Sequence, residues 1–188
     1  AQLAEDKHAL VPRLCAVHPF SHELLALDEQ GRVIVLTPPP PNAPAAARST
    51  LQMTYTGSLC QQHGQPVPPH ELEQALRAVA VRHTLVLLAR TAEGGPWCCR
   101  CFDIGSGVLV GTAALPFGRD DEPRFWGASE HDAASRVGVW APRFLAVLQA
   151  PAPRVYAQAL VHAATDAEAP LAVREAAAEA AVGVCADW

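Results

Sequence analysis

The chain has 188 residues, half of them apolar, with 14 basic residues against 19 acidic ones and a formal net charge of -5. That length and composition support one sizeable core. The mildly acidic balance gives no electrostatic footing for nucleic acid or an acidic membrane surface. No apolar run reaches the ~18 residues of a membrane-spanning helix.

In chain order, Ala1 to Ala9 reads as loose and polar, and Leu10 to Val17 as a strand that Pro12 confines to an edge or a start. Glu23 to Leu27 is a second strand, Asp28 to Gly31 a turn with Gly31 at the left-handed position, and Arg32 to Thr37 a third strand. Pro38 to Pro41 ends it, because proline cannot donate to a ladder. Residues 38–49 form a Pro/Ala-rich surface loop. Leu51 to Thr56 alternates with period two, as a strand does.

Residues 61–69 are a polar loop. His70 to Arg77 has helix formers, with Leu72, Leu76 and Val79 on one helical face, and a strand is expected from about Ala78. His83 to Arg90 is an apolar run closed by Glu93-Gly94-Gly95-Pro96. Trp97 to Asp103 alternates, with Trp97, Cys99, Cys101 and Asp103 on one side and Cys98, Arg100 and Phe102 on the other. Ile104 to Gly107 supplies a turn whose glycines permit positive φ, and Val108 to Val110 resumes the apolar pattern. These three strands across two short turns make an antiparallel meander.

Pro116 to Ser135 is expected to be a charged loop. Arg136 to Trp140 and Phe144 to Leu148 are two further short strands. Val155 to Ala163 is undecided between strand and helix, and Leu171 to Val182 is the best helix in the chain. The expected organisation is a mainly β domain over residues 1–150 and an Ala-rich, largely helical extension over residues 151–188.

Two stretches resemble each other. Glu23 to Leu36 runs strand, acidic-Gly turn, strand. Cys99-Arg100-Cys101-Phe102-Asp103-Ile104-Gly105-Ser106-Gly107 runs strand, aromatic-Asp pair, Gly turn. The second resembles the third strand and turn of a WD-type β-propeller blade, and the first is similar to the second and third strands of another blade. Phe102-Asp103 stands where such blades carry Trp-Asp, and no Gly-His pair is present. The ~60-residue interval exceeds the ~40–45 of WD repeats, and the chain holds at most three blades, fewer than the ~4–8 of a closed propeller. The resemblance implies a scaffold role within a larger assembly.

The candidate chemistry is thin. The six cysteines, at positions 15, 60, 98, 99, 101 and 185, follow no disulfide or zinc spacing. They read as free thiols of a reducing, cytoplasmic compartment. No cofactor and no metal is expected. His18 and His22 read as loop histidines, as do His63, His70 and His131. Gly105-Ser106-Gly107 is a turn rather than a phosphate loop, and Arg119-Asp120-Asp121-Glu122 lacks the alternation of a calcium loop. Phe125 and Trp126, flanked by Arg119 and Arg124, form the candidate partner-binding anchor, because aromatics ringed by charge are the usual make-up of a binding hot spot. The favoured function is a non-enzymatic interaction or scaffold module whose partner is another protein or subunit. The alternative is an enzyme or ligand-binding domain with a dispersed site around Cys99, Cys101, His131 and Asp132.

Overall fold

A computed structural model describes residues 12–18, 21–40, 42, 44, 52–131 and 134–186. The readings made for residues 1–11, most of the Pro/Ala loop and Asp132 lie outside these residues. The fold is mainly antiparallel β, with helices at the C-terminal end. The first sheet is a meander of β1 (Pro12–Val17), β2 (Leu24–Asp28), β3 (Arg32–Thr37) and β4 (Gln52–Ser58). After a short helix α1 (Pro69–Glu73), β5 (Ala75–Val81), β6 (Thr84–Arg90), β7 (Trp97–Asp103) and β8 (Leu109–Ala114) form a second four-stranded meander. The third sheet has three strands, β9 (Arg124–His131), β10 (Ala134–Ala141) and β11 (Phe144–Gln149), and is followed by α2 (Pro153–Thr165) and α3 (Leu171–Ala186). Within each sheet, strands consecutive in the chain pair with one another.

The strands read from Arg32 to Thr37 and from Trp97 to Asp103 have these bounds in the structure. β2 and β3 are the second and third strands of their meander, and β7 is the third of its own. The meanders lie beside one another through their first strands, β1 next to β5 and β5 next to β9. Among the described residues three sheets are present and do not close into a ring.

The second sheet is buried on both faces. Leu85, Leu87, Cys98 and Phe102 pack against Leu25, Leu27, Val33 and Val35 of the first sheet. Val86, Leu88, Trp97, Cys99 and Cys101 pack on the other side, with Val137 and Val139 of the third sheet and Tyr156, Leu160 and Ala163 of α2. Double burial explains the unbroken apolar run of β6, because a strand covered on both sides has no reason to alternate. The alternation of β7 instead sorts its residues between the two cores.

Three expectations are corrected or sharpened. Pro116 to Ser135 is not one loop, since Arg124–His131 is strand β9. The charges that suggested a loop are concentrated in residues 118–122, and Phe125, inside β9, packs into the core. The expected helix from His70 is only one turn, and β5 starts at Ala75; pairing with β6 overrides a local helical pattern that would have needed Leu76, which is exposed. The undecided stretch Val155 to Ala163 is helical. Pro153 sits in its first turn, where no N–H is needed, and Tyr156, Leu160 and Ala163 form its buried stripe.

The turns are fixed by few atoms. Gly31 has φ +76°, and a side chain there would press on Leu72, which plugs the first core from α1. In the β7–β8 turn it is Gly107, with φ +73°, that uses the left-handed region. A side chain at Gly107 would run into the Ser58 carbonyl, where the turn meets the end of β4.

Candidate functional site

The third sheet has one covered face and one open face. Its register places Trp140 between Arg124 of β9 and Leu145 of β11, Gly138 between Gly127 and Val147, and Arg136 between Ser129 and Gln149. Val137 and Val139 point the other way, into the core. Between Gly138 and Val139 the β9 register shifts by a bulge, which sets Trp126 on the open face with its ring 3.6 Å from where a Gly138 side chain would begin. Glycine at position 138 therefore leaves the floor on which that indole lies.

Trp126 is 76% exposed and Trp140 47% exposed, with Leu145 and Val147 also exposed. Trp126, Trp140 and Leu145 line a shallow concavity of 400 Å³. Large apolar side chains scattered singly on a surface are ordinary, but four on adjoining strands form a patch of the kind found at interaction sites. Exposed arginines border it: Arg124, 3.8 Å from Glu122, Arg136, and Arg143 in the β10–β11 turn.

Of the four residues named from the sequence, Trp126 and Arg124 stand on this open face. Phe125 is turned inward against the core. Arg119 belongs to the preceding turn, where its carbonyl accepts from Arg90 Nη2 at 2.7 Å. That turn is tied down further by the Trp97 Nε1–H bond to the Gly118 carbonyl at 3.1 Å and by Asp121, whose carboxylate accepts from the Gly118 N–H at 2.7 Å. Trp140, Leu145 and Val147 were not singled out from the sequence. The signal that could have found them is the odd-even split of β10, in which Val137 and Val139 claim the core and leave Trp140 outside.

The dispersed alternative fares differently residue by residue. Cys99 and Cys101 are buried. Burial pushes the Cys101 thiol up to about 12 and the Cys99 thiol further up, and the neighbouring thiols add to the shift at Cys99. Raised thiols of this kind are poor nucleophiles, since the thiolate is the reactive form. His131 ends β9, and Asp132 lies outside the described residues. The cysteines at positions 15, 60, 98, 99 and 101 are free.

A second concavity, of 570 Å³, lies between His18, Ser21 and Glu23 of the β1–β2 connection, the β5–β6 and β7–β8 turns, and Ala180, Gly183 and Val184 of α3. Its polar groups serve the fold. His18 Nε2 lies 2.9 Å from the Arg82 carbonyl, and Glu23 accepts from Ser21 Oγ and Thr37 Oγ1. At its wall, Asp103 Oδ2 accepts from the Ser106 N–H at 2.6 Å and the Ser106 hydroxyl at 2.7 Å, while the Tyr156 hydroxyl lies 2.6 Å from Oδ1. Burial and the adjacent Asp103 carboxylate push the Tyr156 phenol well above its ordinary value.

These neutral buried acids set an alkaline limit. Burial, with Asp103 nearby, raises the Cys60 thiol to about 11, and Cys101 and Tyr156 are raised as described. In the unfolded chain the thiols ionise near 9.0. Their contribution to stability is therefore complete below about pH 9 and falls as the pH rises from there through the folded-state values. Denaturant midpoints should be level from pH 7 to 8.5 and drop steadily above pH 9; midpoints flat to pH 11 would contradict this.

No helix among the described residues is long and apolar enough to cross a membrane. No family model matches the chain, and no curated protein or solved structure is significantly similar to it.

Proposed function

We propose that the chain is a non-enzymatic interaction module, a piece or subunit of a larger assembly, which binds a protein partner through the open face of its third sheet. The observation that carries this reading is the exposed Trp126–Trp140–Leu145 patch on a sheet whose other face packs Val137, Val139 and Ala141 into the core. Tryptophan and arginine are the residues most enriched among binding hot spots. The bordering Arg124, Arg136 and Arg143 select a partner with an apolar centre and acidic residues around it. The meandering sheets, set side by side through their first strands, support a blade-like scaffold of the propeller kind. The burial of Cys99 and Cys101 weighs against the dispersed enzyme site.

The reading is tested by placing a photo-crosslinking residue at Leu145 and, as a control, at Val182, which is exposed on α3. The Leu145 position should capture one protein at a defined segment that carries both apolar and acidic residues. Equal capture at both positions, or attachment to unrelated segments, would count against the third-sheet surface.

A further inference from the structure

Far from the aromatic patch in sequence, three side chains with ligating atoms converge. His63 comes from the loop between β4 and α1, His162 from the last turn of α2, and Asp166 from the residue that ends that helix. His63 Nδ1 lies 3.1 Å from Asp166 Oδ2, and the two imidazole rings meet edge to face with centroids 5.3 Å apart. One ligating atom from each residue lies within 4.8 Å of the other two.

We propose that His63, His162 and Asp166 form a binding site for a borderline divalent transition cation such as zinc. Two imidazole nitrogens and one carboxylate oxygen are the donor set that zinc prefers when cysteine is absent, and three protein ligands leave a position for water. Around a tetrahedral ion with bonds of about 2.0–2.1 Å, ligand atoms stand about 3.3 Å apart. The His63–Asp166 pair already meets that spacing. His162 and His63 are exposed, so a small rotation brings the third atom in without disturbing packed groups.

The surroundings hold the ligands in place. Residues 162 and 166 are four apart and share one side of the helix end. Asp166 Oδ1 accepts from the Glu168 N–H at 2.9 Å, which orients the other oxygen toward His63. The loop carrying His63 turns at Gly64, with φ +69°. A side chain at Gly64 would come within 2.6 Å of Ala169 Cβ, so only glycine lets the loop close down on the α2–α3 connection. Such outer supports orient metal ligands and are worth 10–100-fold in affinity on their own.

The test is calorimetric titration of zinc into the full chain under reducing conditions, with His63→Gln and His162→Gln alongside. One zinc per chain is expected, bound ~10-fold or more weakly by each variant. Cobalt bound to the wild-type chain should show visible d–d bands without a thiolate charge-transfer band in the near ultraviolet. Should either variant melt early, the cobalt spectrum decides alone. Absence of zinc binding by the wild-type chain, unchanged binding in both variants, or a thiolate band would overturn the proposal.

Discussion

Replacing Asp103 by alanine is expected to destabilise the fold by about 3 kcal/mol or more. The residue is 2% exposed and accepts from the Ser106 N–H and hydroxyl, with the Tyr156 hydroxyl against its other oxygen. Alanine would strand the two Ser106 donors in a buried turn, and each unsatisfied group costs about 1–3 kcal/mol. It would also cut the tie between the β7–β8 turn and α2, although the His83 carbonyl, 2.9 Å from the Tyr156 hydroxyl, remains as an acceptor. For a chain of this size the melting temperature should fall by roughly 6–12 °C. Tyr156→Phe should cost less, about 1–2 kcal/mol, since Asp103 keeps both Ser106 donors. A double-mutant cycle should find the two changes coupled. An Asp103→Ala variant that melts within about 1 °C of the wild type would remove the turn from the account.

Trp97→Ala is expected to cost about 3–5 kcal/mol, the range for emptying a large aromatic site. The indole is 2% exposed and packs in the core shared by the second sheet, the third sheet and α2. Its Nε1–H holds the Gly118 carbonyl, and the Arg90 guanidinium lies 4.4 Å from its ring centroid. The same change should therefore loosen the turn that leads into β9, seen as faster amide exchange over residues 118–122 than in the wild type. Trp97→Phe should recover most of the packing and leave the loss of the hydrogen bond, about 1 kcal/mol. Trp126→Ala, by contrast, should change stability by no more than about 0.5 kcal/mol, as surface substitutions usually do. Equal effects at positions 97 and 126 would mean that one of the two is misplaced.

Much of this architecture is legible in the sequence because the signals are local. The acidic-Gly turn at Asp28 to Gly31 and the alternation of Trp97 to Asp103 mark strands through side-chain period and backbone freedom, which need no distant partner. Other features depended on long-range context. His70 to Arg77 has a helical pattern, yet from Ala75 onward the chain pairs with β6 instead. Arg124 to His131 sits behind a run of charges, and its strand character shows only when Phe125 and Ala128 are seen to face the core. The candidate face was half legible. Trp126 stood out as an aromatic among charges, whereas Trp140 and Leu145 join it only through cross-strand register. The cluster of His63, His162 and Asp166 was less legible still, since residues about a hundred apart in sequence meet through the packing of α2 and the approach of Gly64 to Ala169.

The central claim, that the open face of the third sheet serves a partner rather than the fold, is tested most directly by Trp126→Ala and Trp140→Ala. Each variant is melted, and its equilibrium affinity is measured for the protein captured through position 145. The account expects the melting temperature of Trp126→Ala to stay at the wild-type value while its affinity falls ~30-fold or more, equivalent to about 2 kcal/mol for a hot-spot residue. Trp140→Ala should lose affinity in the same direction. Wild-type affinity in both variants, or a large drop in the melting temperature of Trp126→Ala, would contradict it.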